Sequence, residues 1–168
     1  PWLKLLKYRQ TWAFFFGKFL TDPIWWLYLF WIPGWLADVR GLNIKDFGLP
    51  LVVIYTTTTV GSIFGGWLSS FLISKGIPVY KSRKWTMLLF ACLVTPIAFT
   101  QNEGIGLWGA IGLISLAAAS HQAWSANIFT TVSDMFPKRA IGSVTGIGGM
   151  AGAIGGMLIA IFAGNLLK

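Results

Sequence analysis

Charge is what this sequence has least of. Asp, Glu, Lys and Arg make up 11% of its 168 residues, against about 25% in ordinary soluble domains. With a mean hydropathy of +0.69 and recurrent apolar runs of more than about 18 residues, the chain reads as a polytopic membrane protein, not a soluble domain with a large core. Cysteine is nearly absent: the single Cys92 excludes an intrachain disulfide and a thiolate metal cluster, and reads as a small apolar packing residue. There is no HExxH, no P-loop and no dinucleotide fingerprint, so neither a metal nor an organic cofactor is expected. The one histidine, His121, stands four residues before Ser125 with no acidic orienter near it in sequence. Two groups on one helix do not make a nucleophile and base facing a common substrate, so an enzyme is not expected. A cleavable signal peptide is also missing, and none is needed where a membrane helix directs insertion. The first residue is Pro1, not methionine, which suggests a piece of a longer chain.

What charge there is leans basic, with a formal net charge of +8. A nucleic-acid partner is rejected, because the basic residues are spread over short connectors, not gathered on one face. Basic connectors have a simpler cause in the cytoplasmic retention of Lys and Arg beside membrane helices. Five spans are predicted, at about 11–36, 49–74, 85–100, 105–130 and 142–166, each read as a helix crossing ~30 Å of hydrocarbon. With the N-terminus inside, Lys4, Lys7, Arg9, Lys75, Lys81, Arg83, Lys84, Lys138 and Arg139 fall on inner connectors and Arg40, Lys45 and Lys168 on outer ones. That asymmetry obeys the positive-inside rule.

The first span holds Lys18 and Asp22, four apart and able to pair on one helical face. Pro23 frees the carbonyl of Phe19, so a bend is expected there. The aromatic run that follows reads either as a stacking wall, with Tyr28 its best polar contact, or as an interface belt, which suits Trp31 and Trp35. In the second span, Thr56–Thr59 can back-bond to the helix or line a polar path. Thr57, Gly61, Gly65 and Ser69 form a small-residue ridge for close helix contact. The third span, with Pro96, reads as peripheral, and Gln101-Asn102-Glu103-Gly104 as a tight acidic turn.

The last two spans form a hairpin about a charged hinge, Asp134 to Arg139. On the fourth span Ser120, Trp124, Asn127 and Thr131 share one face, with His121 and Ser125 on an adjacent strip and Gln122 further round. Such groups are costly in hydrocarbon unless they face a partner or a wet cavity. Neutral donors and acceptors suit a polyhydroxylated or carboxylated solute, and an imidazole can titrate near neutral pH. The alternative is that they bond to neighbouring helices. On the fifth span Gly148, Gly152, Gly156, Ala160 and Gly164 recur every four residues, leaving one face nearly bare backbone for close approach.

The run HQAWSANIFTTVSDMFPKRAIGSVTGIGGMAGAIGG, from His121 to Gly156, resembles the tenth and eleventh helices of hexuronate transporters in the anion:cation symporter branch of the major facilitator superfamily. GKFLTDPIWWLYLFWIP, from Gly17 to Pro33, resembles that family's seventh helix, and Gly66-Trp67-Leu68-Ser69-Ser70 its inner-loop motif G-x-L-[AS]-D, with Ser70 in place of the acid. The resemblance implies an all-α, polytopic membrane helix bundle, five transmembrane helices equivalent to helices seven to eleven of twelve. It implies a multi-pass protein of the bacterial inner membrane whose partners are the lipid bilayer, a small organic anion and the first half of the same chain. It implies proton-coupled symport of a sugar acid, a hexuronate such as glucuronate or galacturonate, by alternating access around a midplane site. The proton is the coupling ion, with its acids mainly in the other half. The residues placed on the solute's wall are Tyr28, His121, Gln122, Trp124 and Asn127, with backbone near Gly146 and Gly149. Lys18, Asp22, Pro23, Gly152 and Gly156 are given structural or gating roles. The rival reading is a self-standing five-helix scaffold or partner subunit.

Overall fold

The computed structural model describes residues 2–102 and 104–166. Glu103 of the acidic turn and Lys168 of the charge count lie outside the described residues. The fold is all-α. A short α1 (Trp2–Leu5) precedes α2 (Arg9–Asp38), a 3-10 turn at Ile44–Asp46, α3 (Gly48–Ser74), α4 (Val79–Val94), a 3-10 segment at Thr95–Gln101, α5 (Leu107–Met135) and α6 (Lys138–Leu166). Three stretches, Ile44–Ser74, Val79–Gln101 and Lys138–Leu166, are long and apolar enough to cross a membrane. Helices α2 and α5, of 30 and 29 residues, are as long but carry Lys18, Asp22 and the polar run around His121.

The long helices start and end differently from their apolar cores. The third begins at Val79, directly after Pro78 at its N-cap, not near residue 85. The fifth begins at Lys138, so the hinge shrinks to Phe136-Pro137. Proline lacks an N–H and fits the start of a helix, where that donor has no partner anyway. Lys81, Arg83, Lys84, Lys138 and Arg139 therefore sit in the first two turns of helices and not in connectors. Pro96 acts at the other end of α4. It cannot donate to the carbonyl of Cys92, which instead accepts from the Thr95 hydroxyl at 2.8 Å and the Thr95 backbone N–H, and the helix tightens into the 3-10 form. Cys92 itself is exposed, which corrects its reading as a packing residue. Helices α2 and α3 are followed, within three residues of their last, by Gly41 and Gly76, with φ of 66° and 85°. At Gly76 the N–H bonds Ile73 O and the next N–H bonds Leu72 O, the closing pattern that favours glycine.

The chain packs as two compact units, Pro1–Ile32 with Phe129–Lys168, and Pro33–Ile128. In the first unit α2 and α6 run parallel. A methyl group added at Gly148 would strike the Phe14 ring, one at Gly152 the Asp22 carboxylate, and one at Gly156 the Trp26 indole. The residues advance in the same direction on both helices. The end of α5 runs against α2, with Phe129 edge-on to Phe14 and Phe136 edge-on to Tyr8. Helix α2 continues through Pro23, and the Phe19 carbonyl that this proline frees lies against Gly155. A bare glycine backbone is the neighbour that can come closest to it.

In the second unit α3 and α5 are parallel, again through glycine. Added methyl groups at Gly61 and Gly65 would meet the backbones of Ala119 and Ala123. Helix α4 returns along α3. Phe90 stands edge-on to Phe64 at 6.2 Å, and Arg83 donates to the Ser69 hydroxyl at 2.6 Å. At the other end of this unit the Arg40 guanidinium donates to Thr100 O at 2.7 Å and Ile105 O at 2.9 Å, and it lies over the Trp35 ring.

Candidate functional site

Helix α5 is the most polar of the buried elements. Ser115, Ser120, His121, Ser125 and Asn127 are all buried, and Gln122 and Trp124 are half-buried. Asn127 is 0% exposed. Its Nδ2 donates to Gly65 O and to Ala123 O, both at 2.9 Å. The first bond joins α5 to α3, and the second stays within α5. It forms only because Gly65 lacks a side chain, so the two helix backbones approach to one amide's length. Asn127 thus ties the two helices through its donor end.

The threonine run of α3 is turned on its own helix. Thr57 donates to Val53 O and Ile54 O, Thr58 to Tyr55 O, and Thr59 to Tyr55 O. Back-bonding of this kind satisfies a hydroxyl in an apolar setting without any partner helix.

The first unit buries a charge pair. Lys18, 3% exposed, sits with Nζ 2.7 Å from Asp22 Oδ1 and 4.1 Å from the centre of the Phe129 ring. Burying two ions is expensive, and an opposite charge at contact distance with an aromatic face is the arrangement that offsets it. Gly152 of α6 makes room for the carboxylate. Tyr28, also in this unit, is buried, 8% exposed.

Helix α6 has two small-residue faces. Gly148, Gly152, Gly155 and Gly156 are pressed against α2, whereas Gly142 and Gly149 have nothing within 4 Å of where a side chain would start. Gly146 is exposed with them. Candidate residues therefore fall into two sets: Tyr28, Gly146 and Gly149 with the Lys18–Asp22 pair in the first unit, and His121, Gln122, Trp124 and Asn127 in the second.

Several features escaped the sequence. Gly155 lies off the four-residue ridge, and only the carbonyl freed by Pro23 hinted that α2 needs a bare neighbour there. Gly164, on the ridge, has open space beside it. Nothing in sequence paired Arg83 with Ser69, or Arg40 with two carbonyls some sixty residues away.

Residues 1–160 match the model of the Major Facilitator Superfamily. Among curated proteins, the chain is 29% identical to a hexuronate transporter of Escherichia coli strain K12, over 97% of this chain and 38% of that protein. It is 25% identical to a D-galactonate transporter of E. coli O6:H1, over 98% of this chain and 38% of the relative. It is 26% identical to a probable chloroplastic anion transporter 1 of Oryza sativa subsp. japonica, over 100% of this chain and 32% of the relative. The chain thus spans under two-fifths of the length of these relatives.

Proposed function

The chain belongs to the Major Facilitator Superfamily, and from that premise we propose that it is the greater part of the second half of a secondary transporter for a sugar acid. Its five long helices then stand for the seventh to eleventh of twelve, and it works only with the first half of the same chain. The transported class is a small polyhydroxylated organic anion, with a hexuronate such as glucuronate or galacturonate foremost. Uptake is symport driven by the proton gradient across the bacterial inner membrane, with the N-terminal end of this segment on the cytoplasmic side.

The observation that carries the reading is the polar load of α5. Four side chains with strong donors or acceptors, Ser120, His121, Ser125 and Asn127, are withdrawn from the surface of a membrane protein's helix. Intramembrane polar groups are kept where they face a pathway or fix helices that line one. The names of the relatives, transporters of hexuronate, galactonate and anions, supply the solute class. We assign solute contacts to Tyr28 and to the open glycine backbone at Gly146 and Gly149 in one unit. In the other they fall to His121, Gln122, Trp124 and Asn127. The Lys18–Asp22 pair, Pro23, Gly152 and Gly156 hold α2 against α6, and their tight seam is where the two helices can shift as access alternates. This is transport chemistry: side chains that bind and release, with no covalent step.

The test is uptake by the full-length protein in proteoliposomes. Saturable accumulation of labelled glucuronate or galacturonate, competed by the matching unlabelled acid, is the expected result. Preference for an aldonate or aldarate would move the substrate within the class, and no saturable uptake of any sugar acid would overturn the proposal. An imposed inward proton gradient should raise accumulation and an uncoupler should abolish it. Accumulation indifferent to both would remove the proton.

A further inference from the structure

We propose that the first unit carries a binding site for a phosphate group, the headgroup of an anionic membrane lipid, at the end where α2 and α6 begin. A cavity of about 600 Å³ lies there, lined by Lys4, Tyr8 and Gln10 on one side and by Pro137, Arg139 and Ser143 on the other. That volume is in the ~300–1,000 Å³ range of small-molecule sites. Its polar lining is made only of donors and neutral groups: an ammonium, a guanidinium, two hydroxyls and a carboxamide. No carboxylate is among its described lining residues. Two cations facing one hollow without a counter-ion repel each other, and an anion between them relieves that cost. A guanidinium beside an ammonium is a donor set that phosphate oxygens satisfy.

The cavity also opens on the first turn of α6 through Arg139 and Ala140, where the helix dipole favours negative charge; the Ala140 N–H itself is taken by Pro137 O at 2.8 Å. Its far wall is fixed, because Tyr8 stacks edge-on against Phe136 at 6.3 Å. Short helix α1 and the start of α2 explain why a lipid is the natural source of the phosphate. Leu3 is 76% exposed and Trp12 42% exposed, in the same segment as Lys4, Lys7 and Arg9. Apolar side chains exposed beside cations are the pattern of a segment lying in the headgroup layer. None of this uses the residues assigned to the solute, so the site stands or falls apart from the transport reading.

The experiment is thermal unfolding of the full-length protein in detergent, titrated with phosphatidylglycerol, phosphatidylcholine or inorganic phosphate, with lipid retention read by native mass spectrometry. Phosphatidylglycerol should raise the unfolding temperature, and phosphatidylcholine should not. The Lys4→Gln/Arg139→Gln variant should need roughly thirtyfold more phosphatidylglycerol, the loss expected for two basic contacts at an anionic surface. Lys81→Gln/Lys84→Gln removes the same charge elsewhere and should behave as the parent. If inorganic phosphate protects in the same residue-dependent way and the lipid does not, the phosphate site stands and its source is soluble. Equal lipid response in both double variants, protection by phosphatidylcholine as strong as by phosphatidylglycerol, or no protection by any of the three overturns the site.

Discussion

The carboxamide of Asn127 reaches across to the backbone carbonyl of Gly65 at 2.9 Å, tying the two parallel helices α3 and α5 where α3 has no side chain in the way. The same carboxamide donates to Ala123 O, so one buried side chain satisfies two carbonyls. Removing it has two consequences. Asn127→Ala should lower the stability of the full-length protein by about 1–2 kcal/mol, the cost of two lost hydrogen bonds from a buried side chain. It should also impair uptake if Asn127 has the solute contact proposed for it above. Chemical or thermal unfolding in detergent reads the first effect and the apparent KM for uptake the second. Normal stability in Asn127→Ala would mean that the Gly65 bond does not hold the helices.

Glycines side by side in sequence should respond with opposite sign. Gly65 packs on the Ala123 backbone, while Gly66 has nothing within 4 Å of where a side chain would start. Gly65→Ala should destabilise by about 1–3 kcal/mol through overpacking. Gly66→Ala should stabilise by up to about 1 kcal/mol, since alanine is the better helix former. Unfolding midpoints of the two variants, compared in the same detergent, check the pair.

The Lys18–Asp22 pair should be more costly to halve than to delete. Lys18→Met strands the Asp22 carboxylate beside Gly152, and breaking a buried pair from one side costs roughly 3–5 kcal/mol. Lys18→Met combined with Asp22→Asn leaves no unpaired charge and should recover most of that loss. A double variant as unstable as the single one would show that the ion pair is not what Lys18 contributes.

Arg40 should act as a clamp on the 3-10 segment and the start of α5. Its guanidinium closes on Thr100 O and Ile105 O, carbonyls at segment ends that lack intrahelical partners. Arg40→Gln should speed hydrogen exchange of the backbone amides around residues 99–107 while leaving those of α3 unchanged. Exchange rates at both segments after the substitution are the measurement.

Some of this was readable from composition and spacing alone, and the reasons differ by feature. The all-helical membrane character follows from charge scarcity, because a backbone in hydrocarbon must satisfy its own donors and acceptors and a helix does so locally. The ion pair at Lys18 and Asp22 was visible because i, i+4 spacing is a property of one helix. The glycine ridges of α3 and α6 were visible for the same reason, as a face with no side chains. Helix starts were misplaced at Val79 and Lys138, since hydropathy marks where hydrocarbon ends and not where a proline lets the helix begin. The threonine run could not be decided in advance, because back-bonding and lining a path use the same residues.

The sequence by itself determined that this chain lives in lipid, which residues share a helical face, and which of those faces are bare. The last two depend only on spacing within a few residues of one helix. Only the tertiary structure decided which bare face meets which partner: Gly65 with Ala123 and Asn127, Gly152 with Asp22, Gly155 with the carbonyl freed by Pro23. It alone brought Lys4 and Arg139 to one hollow from opposite ends of the chain. Spacing fixes what a helix offers, but the choice among neighbours is made by shape and charge at contacts between residues that are distant in sequence.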